Sequence, residues 1–131
     1  MREIKFRGKL LDNDKWAIGD LRHRNDGSLA IITNLNVWSD NNDKVDAYGE
    51  EFEVDPATVG QYTGLKDKKG RDIYEGDIIL FGGICFEISY ADGCFWFSNE
   101  EETMELHTTV GMGDIEITGN IHDNPELLKG E

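Results

Sequence analysis

Basic residues are scarce in this chain: 13 lysines and arginines face 27 aspartates and glutamates across 131 residues, for a formal net charge of -14. Such an acidic body repels phosphate backbones, which argues against non-specific binding of DNA or RNA. The sequence also lacks any run approaching the roughly 18 to 20 apolar residues that a spanning helix needs. Its first residues, Met1-Arg2-Glu3-Ile4-Lys5-Phe6-Arg7, show no apolar signal-peptide core. No membrane role is expected, and the reading is of a cytoplasmic protein. Cysteine is nearly absent, with Cys85 and Cys94 alone. A hairpin turning at Asp92-Gly93 puts Cys94 opposite Ala91 and leaves Cys85 roughly 20 Å away along the strand, at about 3.3 Å per residue. That is beyond disulfide reach, so two free thiols are expected, as in a reducing compartment.

Catalytic spacing is missing as well. His23, His107 and His122 are scattered, with no His-x-x-x-His or His-Glu-x-x-His spacing, so no metal ligand is nominated. Ser28, Ser39, Ser89 and Ser98 sit outside any Gly-x-Ser-x-Gly elbow. Gly82-Gly83 and Gly111-Met112-Gly113 match no phosphate or dinucleotide fingerprint and read as turns. Glu100-Glu101-Glu102 with Glu105 lacks the interleaved glycine of a calcium loop and reads as solvated surface. Asp77, although close to Glu75, is expected to hold backbone amides of its own turn. The sequence therefore nominates no catalytic residue, cofactor or metal, and an enzyme is not expected.

What is present is strand and turn. Hydrophobic residues make up 38% and aromatics 10%, enough to core one modest domain or two small β subdomains, residues 1–60 and 61–131. Residues 4–11, 16–21 and 28–33 read as an antiparallel meander broken at Asp12-Asn13-Asp14-Lys15 and Asn25-Asp26-Gly27. Residues 34–48 carry little periodicity and read as a mobile excursion anchored by Trp38. Asp55-Pro56 opens one helical turn, and Asn124-Pro125 opens another with Asn124 as its cap. Between them, residues 61–79 alternate apolar anchors with turn residues, Asp67-Lys68-Lys69-Gly70 making a tight connection and Gly76-Asp77 starting the next strand. Ile84, Phe86, Ile88 and Tyr90 share a face, and pairing Tyr90 with Phe95 and Ile88 with Phe97 matches it to the return strand. Residues 103–109 fit either a strand or a short helix, and the alternation of Met104 and Leu106 favours strand. Ile115, Ile117 and Ile121 mark a strand interrupted at Gly119.

The expected architecture is mainly β with a β-rich α+β character: small antiparallel barrel-like subdomains, the C-terminal part SH3-like, with short helical turns. Two features point toward protein contacts. Residues 1–24 hold seven bases against four acids, a net of +3, while residues 25–131 hold six against 23, a net of -17. A basic N-terminal part of one copy could dock on the acidic body of another, or the acidic surface could imitate nucleic acid. Tyr62, Tyr74 and Trp96 are candidate exposed aromatics for a partner-binding face.

Three blocks carry a resemblance that spans nearly the whole chain. They are Met1 to Arg7, Val59 to Ile79, and Ile115-Glu116-Ile117-Thr118-Gly119-Asn120-Ile121-His122-Asp123-Asn124-Pro125-Glu126-Leu127-Leu128. On these residues the sequence resembles the YopX-type phage and prophage proteins. The resemblance implies a mostly β fold, a phage or prophage origin, and assembly into a homo-oligomer. It brings no catalytic residue with it. The reading is a self-assembling protein-interaction module, with a nucleic-acid-mimicking inhibitor of a host DNA-binding or defence protein as the alternative.

Overall fold

Alternation of apolar and polar residues runs through both halves of the sequence, and strands with short turns are what it builds. A computed structural model describes residues 3–39, 45–109 and 114–129. The fold is mainly β, its paired strands antiparallel and its helical pieces a single turn or little more. The chain divides into two compact units, Glu3–Gln61 and Tyr62–Glu131.

In the first unit, β1 (Phe6–Lys9), β2 (Trp16–His23), β3 (Leu29–Ser39) and β4 (Val45–Val54) form the expected meander. The β2–β3 turn is built by Asp26, whose carboxylate accepts from Ser28 N at 2.9 Å, with Gly27 at φ +91. One face of the meander gathers Ala17, Ile31 and Val54 with Phe6, Leu21 and Phe52 into a core. The ribbon then curls. Leu10 bridges Val54, Leu11 N donates to Glu53 O at 3.3 Å, and Asp55 N donates to Lys9 O at 2.8 Å, so the end of β4 returns to the end of β1.

Gly8 permits that closure, and Gly19 permits a close approach of β2 to β3. A Cβ on Gly8 would lie 2.9 Å from Val54 Cβ, and one on Gly19 would lie 2.1 Å from the carbonyl oxygen of Ile32. Beyond β4, Asp55 accepts from Ala57 N at 3.0 Å and caps a 3-10 turn over Pro56–Thr58, as the Asp-Pro pair implies. Gly60 and Gln61 then pair with Arg7 and Phe6 of β1.

The excursion expected over residues 34–48 is strand where it is described, and residues 40–44 lie outside the described residues. Residues 34–39 and 45–48 are the far ends of β3 and β4, paired from Asn36↔Tyr48 to Ser39↔Val45 after an irregularity between Thr33 and Asn36. Leu35 and Val37, and Val45 and Ala47, alternate with polar residues, but each run is only two apolar positions long and the irregularity breaks it from the rest of β3, so it is too short to read as strand.

The second unit begins within β5 (Gly60–Lys66), which pairs with β6 (Asp72–Tyr74). A five-stranded antiparallel sheet follows in the order β10-β9-β8-β7-β11, from β7 (Asp77–Phe81), β8 (Ile84–Ala91), β9 (Cys94–Ser98), β10 (Thr103–Glu105) and β11 (Ile115–Asn120). The β8–β9 register is the expected one: Ala91↔Cys94, Tyr90↔Phe95 and Ile88↔Phe97. Its two-residue turn, Asp92-Gly93, takes φ values of +52 and +80, matching the right-handed strand twist.

Phe86, Ile88, Phe95 and Phe97 form the core with Ile73, Ile79, Leu106 and Ile115. Phe86 meets Phe97 edge to face at a 5.0 Å centroid distance, a geometry contributing about 0.5–1.5 kcal/mol beyond buried area. Tyr90 and Ile84, at the two ends of the same face, stay 49% and 45% exposed, so shared register does not carry them into the core.

Residues 103–109 divide between the two readings, and the favoured strand holds for only part of them. Only Thr103–Glu105 is strand, and Leu106–Thr109 is a helical turn, α1, with Leu106 fully buried. Two alternating apolar positions are too few to separate the two periods. Gly111-Met112-Gly113, expected as a turn, lies outside the described residues. The interruption at Gly119 is present as a register shift between Ile117 and Gly119. A 3-10 turn, Pro125–Lys129, follows; Asn124 supports it through its carbonyl, which accepts from Leu127 N at 3.1 Å. The Asn124 side chain reaches back instead, accepting from Asn120 N at 3.3 Å.

Candidate interaction surfaces

The loop from Asp67 to Arg71 concentrates charge, and the structure shows where that charge goes. Asp67 is buried, with one carboxylate oxygen accepting from Lys69 N at 3.0 Å and Arg71 N at 2.9 Å. The other accepts from Arg71 Nε at 3.0 Å and Ile117 N at 3.1 Å. Burial pushes the Asp67 carboxyl up, but these amides and the Arg71 guanidinium together hold it below the usual carboxylate range.

The loop also serves β11 directly. Lys68 N donates to Ile115 O at 2.9 Å, Arg71 Nη2 donates to Ile117 O at 2.8 Å, and Lys69 Nζ sits 2.9 Å from Glu116. The groups that β11 turns away from β7 are thus met by a loop, where an exposed edge would otherwise stand. Asp77 behaves as the sequence implies: fully buried, it accepts from Tyr74 N at 2.7 Å across its own turn.

Two of the three candidate partner-binding aromatics are not exposed. Tyr62 and Tyr74 retain 5% and 3% of their accessible surface. They are direct cross-strand partners in β5 and β6 with ring centroids 5.6 Å apart, so each covers the other. Trp96 lies half-buried on the sheet face opposite Phe95 and Phe97, and its Nε1–H donates to Ala91 O at 2.9 Å. No common face joins the three.

Two other surfaces emerge, one in each unit. On the outer face of the first unit, Ile18 is 50% exposed and pairs across the ladder with Arg7. The Arg7 guanidinium lies 4.8 Å from the Trp16 ring centroid and Lys9 Nζ lies 5.9 Å from it, so cation, aromatic and aliphatic groups adjoin. Further across that face Arg22 and Arg24 bind Glu51 at 2.8 and 2.7 Å, and Arg24 also reaches Glu53 at 3.2 Å. The hydrogen bond from Arg24 is the first cause holding the Glu51 carboxyl below its ordinary value. Part of the basic N-terminal character is therefore spent within the unit.

In the second unit a cleft of about 360 Å³ is lined by Glu87 of β8, Ser98 and Asn99 at the end of β9, Glu100, and Pro125 and Leu128 of the 3-10 turn. Burial, then repulsion from Glu75, raises the Glu87 carboxyl above its usual value. Asn99 is committed to structure, donating to Cys85 O at 3.3 Å and accepting from Glu101 N and Glu102 N. Among the described residues no group of three or more His, Cys, Asp and Glu is placed to hold a metal ion. Strand alternation alone places Glu87 off the core face; its half-burial depends on the returning C-terminal turn and has no local sequence signal.

Two antiparallel β units without long helices define a small, mainly β protein. The sequence matches the YopX protein family over residues 5–129, and the chain belongs to that family. The crystal structure of protein EF1440 from Enterococcus faecalis is similar, with a TM-score of 0.69 and 26% sequence identity over 98% of this chain and 99% of that one. No curated protein matches the sequence.

Proposed function

We propose that this protein is a self-assembling protein-interaction module of phage or prophage origin, acting in the cytoplasm without catalysis of its own. The observation that carries the reading is the outer face of the first unit, where half-exposed Ile18 adjoins Arg7, Lys9 and Trp16. An aliphatic centre beside cation and aromatic groups is the composition of a contact patch. The charge distribution supplies a complementary partner: residues 72–131 hold a single base, Lys129, against 14 acids. Among the described residues no helix is long and apolar enough to cross a membrane.

Light scattering over a range of concentrations and salt tests this. Self-association that weakens with salt and is reduced by Ile18→Asp is the expected result. A strict monomer at every concentration removes the reading. The one-sided charge of residues 72–131 also favours a second reading, an acidic decoy for a host DNA-binding or defence protein. Capture of DNA-binding proteins from host lysate at low salt, and their release at high salt, would select it.

A further inference from the structure

The cleft at Glu87 has a chemistry of its own. Its charged lining is acidic, Glu87 and Glu100, and Pro125 and Leu128 add an apolar part to it. Among the described residues Glu87 makes no ion pair and its carboxylate accepts no hydrogen bond, while burial and Glu75 both disfavour its charge. A half-buried carboxylate in that state gains from any cation brought against it.

The apolar part selects which cation. A divalent ion keeps strongly bound water and asks for several oxygen ligands in a fixed array, and it gains nothing from proline and leucine. An alkyl ammonium or guanidinium suits both parts of the lining, with its charged head at Glu87 and its methylene stem along Pro125 and Leu128. The volume admits one such side chain rather than a folded element.

We propose that this cleft seats a lysine or arginine side chain delivered by residues 1–24 of a second copy. That segment carries seven bases, of which Arg22 and Arg24 already pair with Glu51 and Glu53, against four acids, while residues 72–131 hold one base against 14 acids. The contact would be head to tail, joining different surfaces of the two copies. The inference rests on the self-assembly reading for the source of the cation; the chemistry of the cleft stands apart from it.

Agmatine, an alkyl guanidinium, is the probe. Titrated into the full chain, it should shift the amide resonances of Glu87, Ser98, Glu100 and Leu128 saturably. Glu87→Gln, a near-isosteric change at a half-buried position, should weaken that response at least tenfold, and magnesium chloride at equal concentration should not reproduce it. The same variant should weaken self-association in light scattering by a similar factor. Agmatine binding that depends on Glu87 in a protein monomeric throughout would overturn the second copy as source, and the self-assembly reading with it, but not the alkyl-cation site. Association unaffected by Glu87→Gln, with no agmatine response, overturns the cleft assignment and leaves self-assembly in place. A response equal in wild type and variant, or matched by magnesium, overturns the assignment as well.

Discussion

Replacing Asp67 with asparagine changes almost no volume, yet it should be among the most destabilising polar substitutions in the second unit. The carboxylate accepts four hydrogen bonds, from Lys69 N, Arg71 N, Arg71 Nε and Ile117 N, at 2.9 to 3.1 Å. An asparagine can keep its oxygen toward one pair of donors, and its NH2 then confronts the other pair. If the oxygen stays with Lys69 and Arg71, the amide of Ile117 loses its acceptor. A buried donor left unmet costs about 1–3 kcal/mol, and a hydrogen bond to a charged group contributes about 1.5–3 kcal/mol.

Arg71 is partly solvated, so its share is discounted and the two terms do not add in full. The expected loss is about 3 kcal/mol, a melting temperature lower by roughly 10 °C for a chain of this size. Urea unfolding gives the magnitude, and amide hydrogen exchange at Ile117 locates it in β11. The pH dependence has a definite sign. Because the folded carboxyl is held low, its stabilisation is complete above the unfolded value of about 3.9 and disappears as pH falls through the folded one. Asp67→Asn should flatten that part of the acid-unfolding curve. A loss under about 0.5 kcal/mol with unchanged Ile117 exchange refutes the assignment of Asp67 as the anchor of the loop, since even a single unmet donor costs more than this.

Other expectations are more compact. Gly19→Ala would drive a methyl to 2.1 Å from the Ile32 carbonyl oxygen, so β2 and β3 must separate there; chemical denaturation should show a loss above about 3 kcal/mol. Glu87 has the opposite linkage to Asp67. With its folded value raised, its contribution is fully present below the unfolded value of about 4.3 and is lost as pH rises through the folded one. Glu87→Gln should therefore stabilise at neutral pH and not in acid, by less than about 1 kcal/mol after solvent screening, as thermal melts at two pH values will show. Glu51→Gln, in the exposed arginine ladder, should leave the melting temperature unresolved from wild type at physiological salt, because flexible surface pairs are screened.

Where a local pattern determined structure, the sequence was readable. The β8–β9 register followed from matching apolar faces around Asp92-Gly93, and the 3-10 turn at Pro56 followed from Asp55. Where structure depended on partners distant in sequence, it was not. Asp67 looks like any turn aspartate until Ile117, fifty residues on, donates to it. Tyr62 and Tyr74 look like available aromatics until the β5–β6 pairing puts one on the other. The ribbon over 34–39 and 45–48 carries only a short alternation, Leu35 and Val37 on one strand and Val45 and Ala47 on the other, too few positions to mark a strand by themselves. The Ile18 face could have been found by noting that Ile18 alternates out of phase with Ala17 and Gly19 on a strand whose other face lies over the core.

The loop from Asp67 to Arg71 also restricts how copies of this protein can grow into larger assemblies. Ile115 and Ile117 spend their outward carbonyl and amide groups on Lys68, Asp67 and Arg71 of the same chain, so the sheet cannot be lengthened at β11 by an incoming strand. Association at that edge is left to side chains, which can be tuned by charge and reversed by salt, rather than to main-chain hydrogen bonding, which templates itself without limit. A loop within one of the three blocks that carry the family resemblance thus acts as a stop on strand addition at this edge.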